Sequence, residues 1–572
     1  MSFIVHFHNG KLTKSETLYT RTIPSPVNTI GSEFYVIGEL FENSINSLYY
    51  SNWEENPNLI NSFNGAFSVV KVSNTSCTVV SDICGLEPVY YYKTDEDFMV
   101  SDDIWDIIRV INPSFDDIDQ KWVRNTIICI RMDNHTFIKG LSLLRPSTIV
   151  KYSADTNSVE EQLYREFRYS REKENVDQAA EDMDLLLKKA FRRIHMQFDS
   201  GTVFGVGLSG GLDSRIIPHY AKNEGLDLVA FNICTKRPKG LLLAESCKSA
   251  IKMANTFHIP LSLVEWEGNE LKSKAELKIR NYPLGSGRNS FKYEVKGLPD
   301  FDVLLTGGTG LIVGSTMPAN IDTIDKSTLV SYMKNLFIHK GSPVDTISRV
   351  KRAINYMLGT KLNEETENRD IIDMFSQEIQ EAENEIDSYV SNMLQKGYTN
   401  LDIYENYFLN VMGFRNRMGS FESLLGTKRS FSIYVPFLLS ETLKWDSQLM
   451  ENRAVLNTLI NKKIPEVAKI PTESFQLAPG LKSISFIKKA IPLVSRLIKG
   501  NGTSIDENNY RKRKVKQTIK LTFNNECIWF YSIFDKAQVF RLLQSYNDCA
   551  AIINLWEMKE LLDYIEKKLY NK

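Results

Sequence analysis

No uninterrupted apolar run in this 572-residue sequence is long enough to cross a membrane, and the opening MSFIVHFHNG lacks the basic and apolar regions of a secretory signal. The formal net charge is only -1, so the basic surplus of many nucleic-acid-binding proteins is missing. The seven cysteines contain no CxxC pair, and the seven histidines have no spacing typical of a metal site. These absences predict a cytoplasmic protein with reduced thiols that binds neither membranes nor nucleic acid.

The residues that are present follow two successive patterns. Up to about residue 155, short runs of β-branched and aromatic residues such as GAFSVVKVS and PVYYYKT alternate with turn residues, which predicts antiparallel sheets. From residue 202, predicted strands and helices alternate, which is typical of a parallel sheet with crossover helices, and 326–425 are largely helical. We expect three parts: 1–157, 175–480, and a mainly helical C-terminal extension, 481–572.

The stretch GLSGGLDSR, residues 207–215, lies between a predicted strand and a predicted helix. Gly210 and Gly211 would let backbone N–H groups converge on an anion, and the helix N-terminus adds partial positive charge. Asp213 is predicted to hold Mg²⁺ against phosphate oxygens, and Arg215 to contact phosphate. The expected nucleotide contacts are Gly207, Leu208, Ser209, Gly210, Gly211, Leu212, Asp213 and Ser214. A glycine-rich turn that binds nothing is the alternative interpretation.

The complete S-G-G-x-D-S pattern resembles the PP-loop of ATP pyrophosphatases, and the chain is most similar to the asparagine synthetase family. NGAFSVV (64–70) and DICGLEPVYYY (82–92) resemble glutaminase-domain signatures of that family, LLTGG (304–308) its second nucleotide loop, and VPFL (435–438) its V-P-F-L-D element. The resemblance covers about residues 1–480. It implies an α/β and α+β two-domain fold: an N-terminal Ntn-type antiparallel β sandwich with helices, then a PP-loop parallel α/β sheet with a large helical part.

The same resemblance implies further site residues. The backbone near Ile233 would meet adenine, and Thr306 and Gly307 would begin the second nucleotide loop. Lys469 takes the place of a family arginine, and Lys463 is a candidate replacement for the lysine that stabilises charge in acyl transfer. For Lys463, a solvated charge at a helix end is the alternative. ATP and Mg²⁺ are the implied ligands.

Departures from the family pattern bear on activity. The family's glutaminase nucleophile is a cysteine directly after the initiator methionine, but Ser2 stands here and Ile83 replaces a signature arginine, so we expect no glutaminase activity. The second nucleotide loop has Gly308 and Leu311 near the family's acidic positions, which leaves Asp213 as the only assigned carboxylate for Mg²⁺.

Three more departures surround the expected acyl pocket. Tyr434 and Leu439 stand where the family has arginine and aspartate, and Pro471 stands where it has the lysine. These changes argue against aspartate as the substrate.

The sequence therefore predicts an AMP-forming amide ligase that adenylates an unidentified carboxylate and transfers it to an amine or ammonia. A specialised peptide or polysaccharide pathway is the expected setting. A catalytically weak nucleotide-binding scaffold and ammonia-dependent asparagine synthesis are the alternatives. A homodimer or a complex with a pathway partner is left open.

Overall fold

The structure is a computed structural model. It describes residues 3–17, 33–40, 53–56, 59–60, 63, 65–129, 134–235, 245–266, 295–307, 320–338, 369–417, 430–470, 523, 526–544 and 550–570. The predicted sites at Ser2, Gly308, Leu311 and Pro471 lie outside these residues.

The N-terminal part contains two five-stranded antiparallel sheets, one in the order β2-β1-β7-β6-β8 and the other in the order β10-β9-β5-β4-β3. The strands are β1 Phe3–His8, β2 Lys11–Thr17, β3 Glu33–Leu40, β4 Gly65–Val72, β5 Ser76–Ser81, β6 Tyr90–Lys93, β7 Asp97–Ser101, β8 Leu141–Leu143, β9 Thr148–Ser153 and β10 Ser158–Leu163. Since β10 pairs with β9, the second sheet continues to Leu163.

The two sheets pack face to face, because alternate residues along their strands are apolar. Phe7 and Phe98 come from one sheet and Val79, Val150 and Tyr152 from the other, and all five share one buried cluster. The rings of Phe98 and Tyr152 stack with their centroids 4.2 Å apart across this interface. The predicted antiparallel sandwich is thus confirmed.

The following part contains a six-stranded sheet in the order β14-β13-β12-β11-β15-β16. Its strands are β11 Val203–Gly207, β12 Asp227–Thr235, β13 Leu261–Trp266, β14 Val295–Lys296, β15 Val303–Thr306 and β16 Ser430–Ser432. All neighbours pair in parallel except β14, which is antiparallel to β13. The predicted parallel sheet is confirmed, and β11 lies in its interior.

Helices surround and connect the sheets. They are α1 Ile104–Ile111, α2 Gln120–Ile128, α3 Val176–Gln197, α4 Asp213–Asn223, α5 Glu245–Phe257, α6 Lys326–Phe337, α7 Arg369–Gln395, α8 Asn400–Arg417, α9 Tyr434–Thr442, α10 Ser447–Met450, α11 Ala454–Lys463, α12 Pro465–Ala468, α13 Ile528–Ile533, α14 Lys536–Gln544 and α15 Ala550–Tyr570. The mixed fold class and the large helical part agree with the sequence-based expectation.

The C-terminal helix α15 returns to the N-terminal part of the chain. The buried side chain of Asn554 donates a 2.8 Å hydrogen bond to the carbonyl of Ile127 at the end of α2. The rings of Trp105 and Tyr564 meet edge to face at 5.3 Å. The extension thus packs as part of the main core.

The cysteines do not all behave as expected. Cys77, Cys84, Cys129 and Cys527 are free and buried, as an inert core thiol would be. Cys247 on α5 is in a disulfide, so the expectation of reduced thiols is wrong for that residue.

No helix among the described residues combines the length and apolarity that a transmembrane span needs.

Candidate nucleotide-binding site

The loop after β11 lies at the carboxyl edge of the parallel sheet. Strand β11 pairs with β12 on one side and β15 on the other, and α4 begins six residues after the strand ends, at Asp213. The predicted order of strand, loop and helix is therefore present. Ligands of open α/β sheets bind at this edge, because loops and helix N-termini converge there.

The two serine hydroxyls of the loop fix its shape. Ser214 Oγ accepts from the Ser209 N–H at 3.0 Å and donates to the Gly207 carbonyl at 3.2 Å. Ser209 Oγ contacts the Ser214 hydroxyl at 3.0 Å and accepts from the Gly211 N–H at 3.0 Å. The loop is thus held as a compact turn by its own side chains.

The N-terminus of α4 carries no side-chain cap. The residue before the helix is Leu212, whose side chain cannot accept a hydrogen bond, and the structure has no capping bond from it. The Arg215 N–H donates to the Leu212 carbonyl at 3.0 Å, which leaves the N–H groups of Asp213 and Ser214 without a partner among the described residues. This end is therefore suited to an anion such as phosphate.

Asp213, at the first position of α4, accepts two hydrogen bonds on one oxygen. Tyr434 donates its hydroxyl to Oδ1 at 2.6 Å, and Arg453 donates Nη2 to the same oxygen at 2.8 Å. Tyr434 is fully buried, and burial, followed by the charge of Asp213, raises its pKa well above the ordinary value. The hydroxyl therefore stays protonated and acts as a donor to the carboxylate.

Arg453 was not predicted from the sequence. It immediately precedes α11 with a φ of 55°, in the left-handed region that few non-glycine residues adopt. Its side chain is only 13% exposed, and its Nε is buried with no hydrogen-bond partner among the described residues. A strained backbone at a candidate site is typical of a position under functional constraint.

Gly307, directly after β15, lies against Asp213. A Cβ at Gly307 would be 2.6 Å from Asp213 Cβ and 2.8 Å from its Cγ. Thr306 pairs with Ser432 on β16, which fixes the course of the chain into the second loop. The start of the second predicted loop, at Gly307, therefore lies against Asp213, and only glycine fits at that position.

Arg215 is placed differently from the expected phosphate contact. Its side chain is fully buried, and it donates Nη1 to the carbonyls of Val467 at 2.5 Å and Ile470 at 2.7 Å. Nη2 donates to the Gly210 carbonyl at 3.2 Å, and burial lowers the pKa of Arg215 to about 10. The guanidinium thus positions the loop, and a direct contact with phosphate stays a prediction.

The candidate adenine strand also contacts the loop. Asn232 on β12 is buried and donates Nδ2 to the Leu208 carbonyl at 2.6 Å, while the Leu208 N–H donates to the Phe231 carbonyl at 2.8 Å. Ile233 follows at the same edge and pairs with Val264 of β13. The end of β12 that carries Ile233 is therefore adjacent to the loop, and its contact with adenine stays a prediction.

The candidate catalytic lysines lie on or beyond α11. Lys463 donates to Glu181 Oε2 at 2.6 Å and lies 3.4 Å from Asp184 Oδ2, both on α3. The hydrogen bond to Glu181 raises the pKa of Lys463. Lys469 is exposed. These contacts give Lys463 a role in joining two helices, and catalysis by either lysine stays a prediction.

The signature beginning at Asp82 serves the structure of the N-terminal sandwich. The buried Asp82 carboxylate accepts backbone N–H groups from Phe67 at 3.0 Å, Cys84 at 2.7 Å and Leu86 at 3.0 Å. Phe3 donates its N–H to Asp102 Oδ1 at 3.0 Å, and burial raises the pKa of Asp102 to about 7. Asp82 therefore has a structural role in the turn that follows β5.

Comparison with known proteins finds partial likenesses only. No family model and no curated protein matches the chain. Glutamine phosphoribosylpyrophosphate amidotransferase from B. subtilis, complexed with ADP and GMP, is 12% identical over 55% of this chain and 70% of that chain, with a TM-score of 0.17. The allosteric regulatory enzyme of purine biosynthesis is 12% identical over 49% of this chain and 71% of that chain, with a TM-score of 0.18.

A third solved structure is similar over a smaller share of the chain. The U34-tRNA thiolase NcsA from Methanococcus maripaludis, with its four-iron four-sulfur cluster, is 11% identical over 41% of this chain and 79% of that chain, with a TM-score of 0.17. These likenesses are too weak to support an interpretation of the site, which therefore rests on the sheet topology and the loop geometry.

Proposed function

We propose that this protein is an ATP-dependent, AMP-forming amide ligase. A substrate carboxylate oxygen attacks the α-phosphorus of ATP, and the bond from that phosphorus to the bridging oxygen of pyrophosphate breaks. An amine nitrogen then attacks the acyl carbon of the adenylate, loses a proton, and releases AMP. Because the developing charge is on phosphate oxygens, the protein's main contribution is electrostatic stabilisation.

One observation carries this proposal. The uncapped N-terminus of α4, the compact serine loop and Gly307 meet around Asp213 at the carboxyl edge of the parallel sheet. N–H groups and a helix dipole at such an edge favour a polyphosphate. The close approach of Gly307 to Asp213 supports a position for the end of β15 beside the same site.

The donor set at Asp213 fits Mg²⁺, with the carboxylate supplying one of its ligands. Asp213 Oδ1 is shared by Tyr434 and Arg453, which leaves Oδ2 without a hydrogen bond among the described residues. One carboxylate oxygen suffices for an ion that keeps waters and phosphate oxygens as its other ligands. When bound, Mg²⁺ would offset charge on the pyrophosphate, and Arg453 would add a second positive charge beside it.

The carboxylate substrate is proposed to differ from aspartate, and the amine to be part of a peptide or sugar substrate, or ammonia. Tyr434 and Leu439 support this, since both are buried where the related family has charged residues. Neither of these side chains offers an ionic partner to a second carboxylate. The N-terminal sandwich is proposed to be a scaffold without glutaminase activity.

Pyrophosphate release from ATP across a panel of carboxylates tests the proposal directly. Release that depends on one carboxylate, with matching AMP and an amide product once the amine is added, is the expected outcome. ADP and phosphate as products would contradict it, because they mean attack at the γ-phosphorus.

A catalytically weak nucleotide-binding scaffold is the second candidate, and one observation favours it. Arg453 and Tyr434 already satisfy Asp213 Oδ1, so the carboxylate is partly neutralised without a metal. Equilibrium binding of ATP without pyrophosphate release, over a broad panel of carboxylates and amines, would select this candidate.

A further inference from the structure

Strand β1 carries two histidines on one face. His6 and His8 are two residues apart, so their side chains project to the same side of the strand. Phe7, between them, is buried in the sandwich core on the other side. The pair is thus backed by a packed sheet, which limits the movement of the backbone beneath it.

A third ligand-forming residue lies opposite them on β7. In the antiparallel register His8 is paired with Asp97, and His6 is diagonal to it. His6 Nε2 is 2.7 Å and His8 Nδ1 is 2.8 Å from the same oxygen, Asp97 Oδ1. One ligand atom from each residue lies within 4.8 Å of the others. Sequence spacing alone gave no metal site here, because Asp97 is 89 residues from His8.

We propose that His6, His8 and Asp97 form a binding site for a divalent transition metal, with Zn²⁺ as the best fit. Two imidazole nitrogens and one carboxylate are a common three-residue ligand set for Zn²⁺, which leaves a fourth position for water. Imidazole ligands select against Mg²⁺ and Ca²⁺, which prefer oxygen.

The accessibility of the cluster suits this role. The side chains of His6 and Asp97 are 17% and 23% exposed, while that of His8 is 47% exposed. An ion can therefore enter from the His8 side, where solvent supplies the fourth ligand. Asp95 and Glu96 are exposed next to Asp97 and add negative charge.

A metal would take the place of the proton on each ring nitrogen that faces Asp97. In the present arrangement each ring nitrogen facing Asp97 is a hydrogen-bond donor to the carboxylate, so the proton moves to the other nitrogen when a metal takes its place. Asn9 Nδ2 lies 3.0 Å from His8 Nε2, so the side-chain amide can turn to let its Oδ1 accept a hydrogen bond from the Nε2–H. Such an outer contact orients a metal-bound imidazole.

A metal here would fasten the first strand of the chain to β7. It would stabilise the folded state according to its free concentration, because the three ligands come together only in that state. This role does not depend on the nucleotide site, so either proposal can fail without the other.

Titration of the untagged full-length chain with Zn²⁺ tests the site after dialysis against a chelator. We expect one Zn²⁺ per chain and a thermal midpoint that rises with Zn²⁺ but not with Mg²⁺. Loss of an outer contact typically weakens metal binding about 10- to 100-fold, so His8→Gln or Asp97→Asn should weaken it at least as much. The control His135→Gln, an exposed histidine of the same sandwich, should bind as the wild type does.

Two features keep the test decisive. Co²⁺ bound at this site should give a visible spectrum without the thiolate charge-transfer band that binding by cysteine would give. His8 is the most exposed of the three residues, so His8→Gln should fold normally even if Asp97→Asn does not. Absence of saturable Zn²⁺ binding, unchanged affinity in His8→Gln, or a thiolate band would overturn the proposal.

Discussion

Arg453 Nη2 and Asp213 Oδ1 form a 2.8 Å ion pair between residues that are 240 positions apart in the sequence. The pair joins the first turn of α4 to the start of α11, so the carboxylate closest to the loop is held by the helical part of the chain. Compared with an unpaired carboxylate, Asp213 should bind a metal ion more weakly, because Arg453 already offsets its charge. The same ion pair holds the Asp213 carboxylate in a fixed position.

Asp213→Asn should abolish pyrophosphate release while leaving the fold intact. The amide oxygen can still accept from Tyr434 and Arg453, but the negative charge for Mg²⁺ is lost, which removes several kcal/mol of transition-state stabilisation. Product formation titrated against Mg²⁺ measures this, with the exposed Asp227→Asn as the control. Near-normal turnover by Asp213→Asn would show that the active site does not lie at Asp213.

Tyr434→Phe should destabilise the protein by about 2 kcal/mol, because a buried hydroxyl that donates to a carboxylate is removed. Tyr35 makes the same kind of bond, to Glu33 at 2.9 Å, but at an exposed position. Tyr35→Phe should therefore cost less than about 0.5 kcal/mol. Urea unfolding of both variants provides the comparison, and equal losses would contradict the buried role of Tyr434.

Gly307→Ala should displace Asp213, because the added Cβ would lie 2.6 Å from Asp213 Cβ. We expect a loss of about 1–3 kcal/mol in stability, as for overpacked sites, together with weaker ATP binding. A Cβ added at Gly201 would have no heavy atom within 4 Å, so Gly201→Ala is the matched control. If Gly307→Ala leaves the affinity for ATP unchanged, Gly307 is not part of the nucleotide site.

Glu405 on α8 predicts a pH dependence of stability. It is fully buried, neither carboxylate oxygen has a hydrogen-bond partner among the described residues, and burial raises its pKa from 4.5 to about 8. The folded state thus keeps a proton that the unfolded state releases above pH 4.5, so stability is greatest below that pH and is lost as the pH rises through 8.

The neutral variant Glu405→Gln removes this titration. Relative to that variant, the free energy of unfolding of the wild type should fall by up to about 5 kcal/mol between pH 4.5 and pH above 8. Unfolding midpoints measured across this range, with the exposed Glu160→Gln as the control, provide the check. Parallel curves for the wild type and Glu405→Gln would mean that Glu405 is ionised in the folded protein.

The purified protein should release no glutamate from glutamine, and Ser2→Ala should leave every measured activity unchanged. A serine hydroxyl is a far weaker nucleophile than the cysteine of active glutaminases, because so little of it is ionised. Glutamate assayed over time is the measurement. Glutamine hydrolysis that disappears in Ser2→Ala would show that the N-terminal sandwich is an active glutaminase.

Local pattern was enough to predict the loop and its neighbours. Residues 207–215 fold as strand, loop and helix because their small residues and their apolar spacing act over a few positions. The partners of that loop were not predictable in this way. Tyr434 and Arg453 reach Asp213 from 221 and 240 positions away, and nothing in a single sequence marks such a pairing.

The lysines show how tertiary contacts limit a prediction made from position in the sequence. Lys463 is a candidate catalytic residue only through a resemblance in sequence, and in the structure its ammonium lies against the acidic residues of α3. A lysine in the last turn of a helix binds whatever carboxylate packs beside it, and that neighbour is set by tertiary structure. The alternative, a charge at a helix end, is the one closer to the observed contacts.

The contacts of Arg215 determine how much of the chain is needed to make the loop. A fragment ending after β15, near residue 307, would lack Val467 and Ile470, whose carbonyls accept from the buried guanidinium. In that fragment the Arg215 guanidinium would be buried without most of its hydrogen-bond acceptors, at a cost of several kcal/mol. Alternatively, the side chain would turn out to solvent, and its hydrogen bond to the Gly210 carbonyl would be lost. The nucleotide loop is therefore completed only after the polypeptide has been extended to about residue 470, long after its own residues have been synthesised.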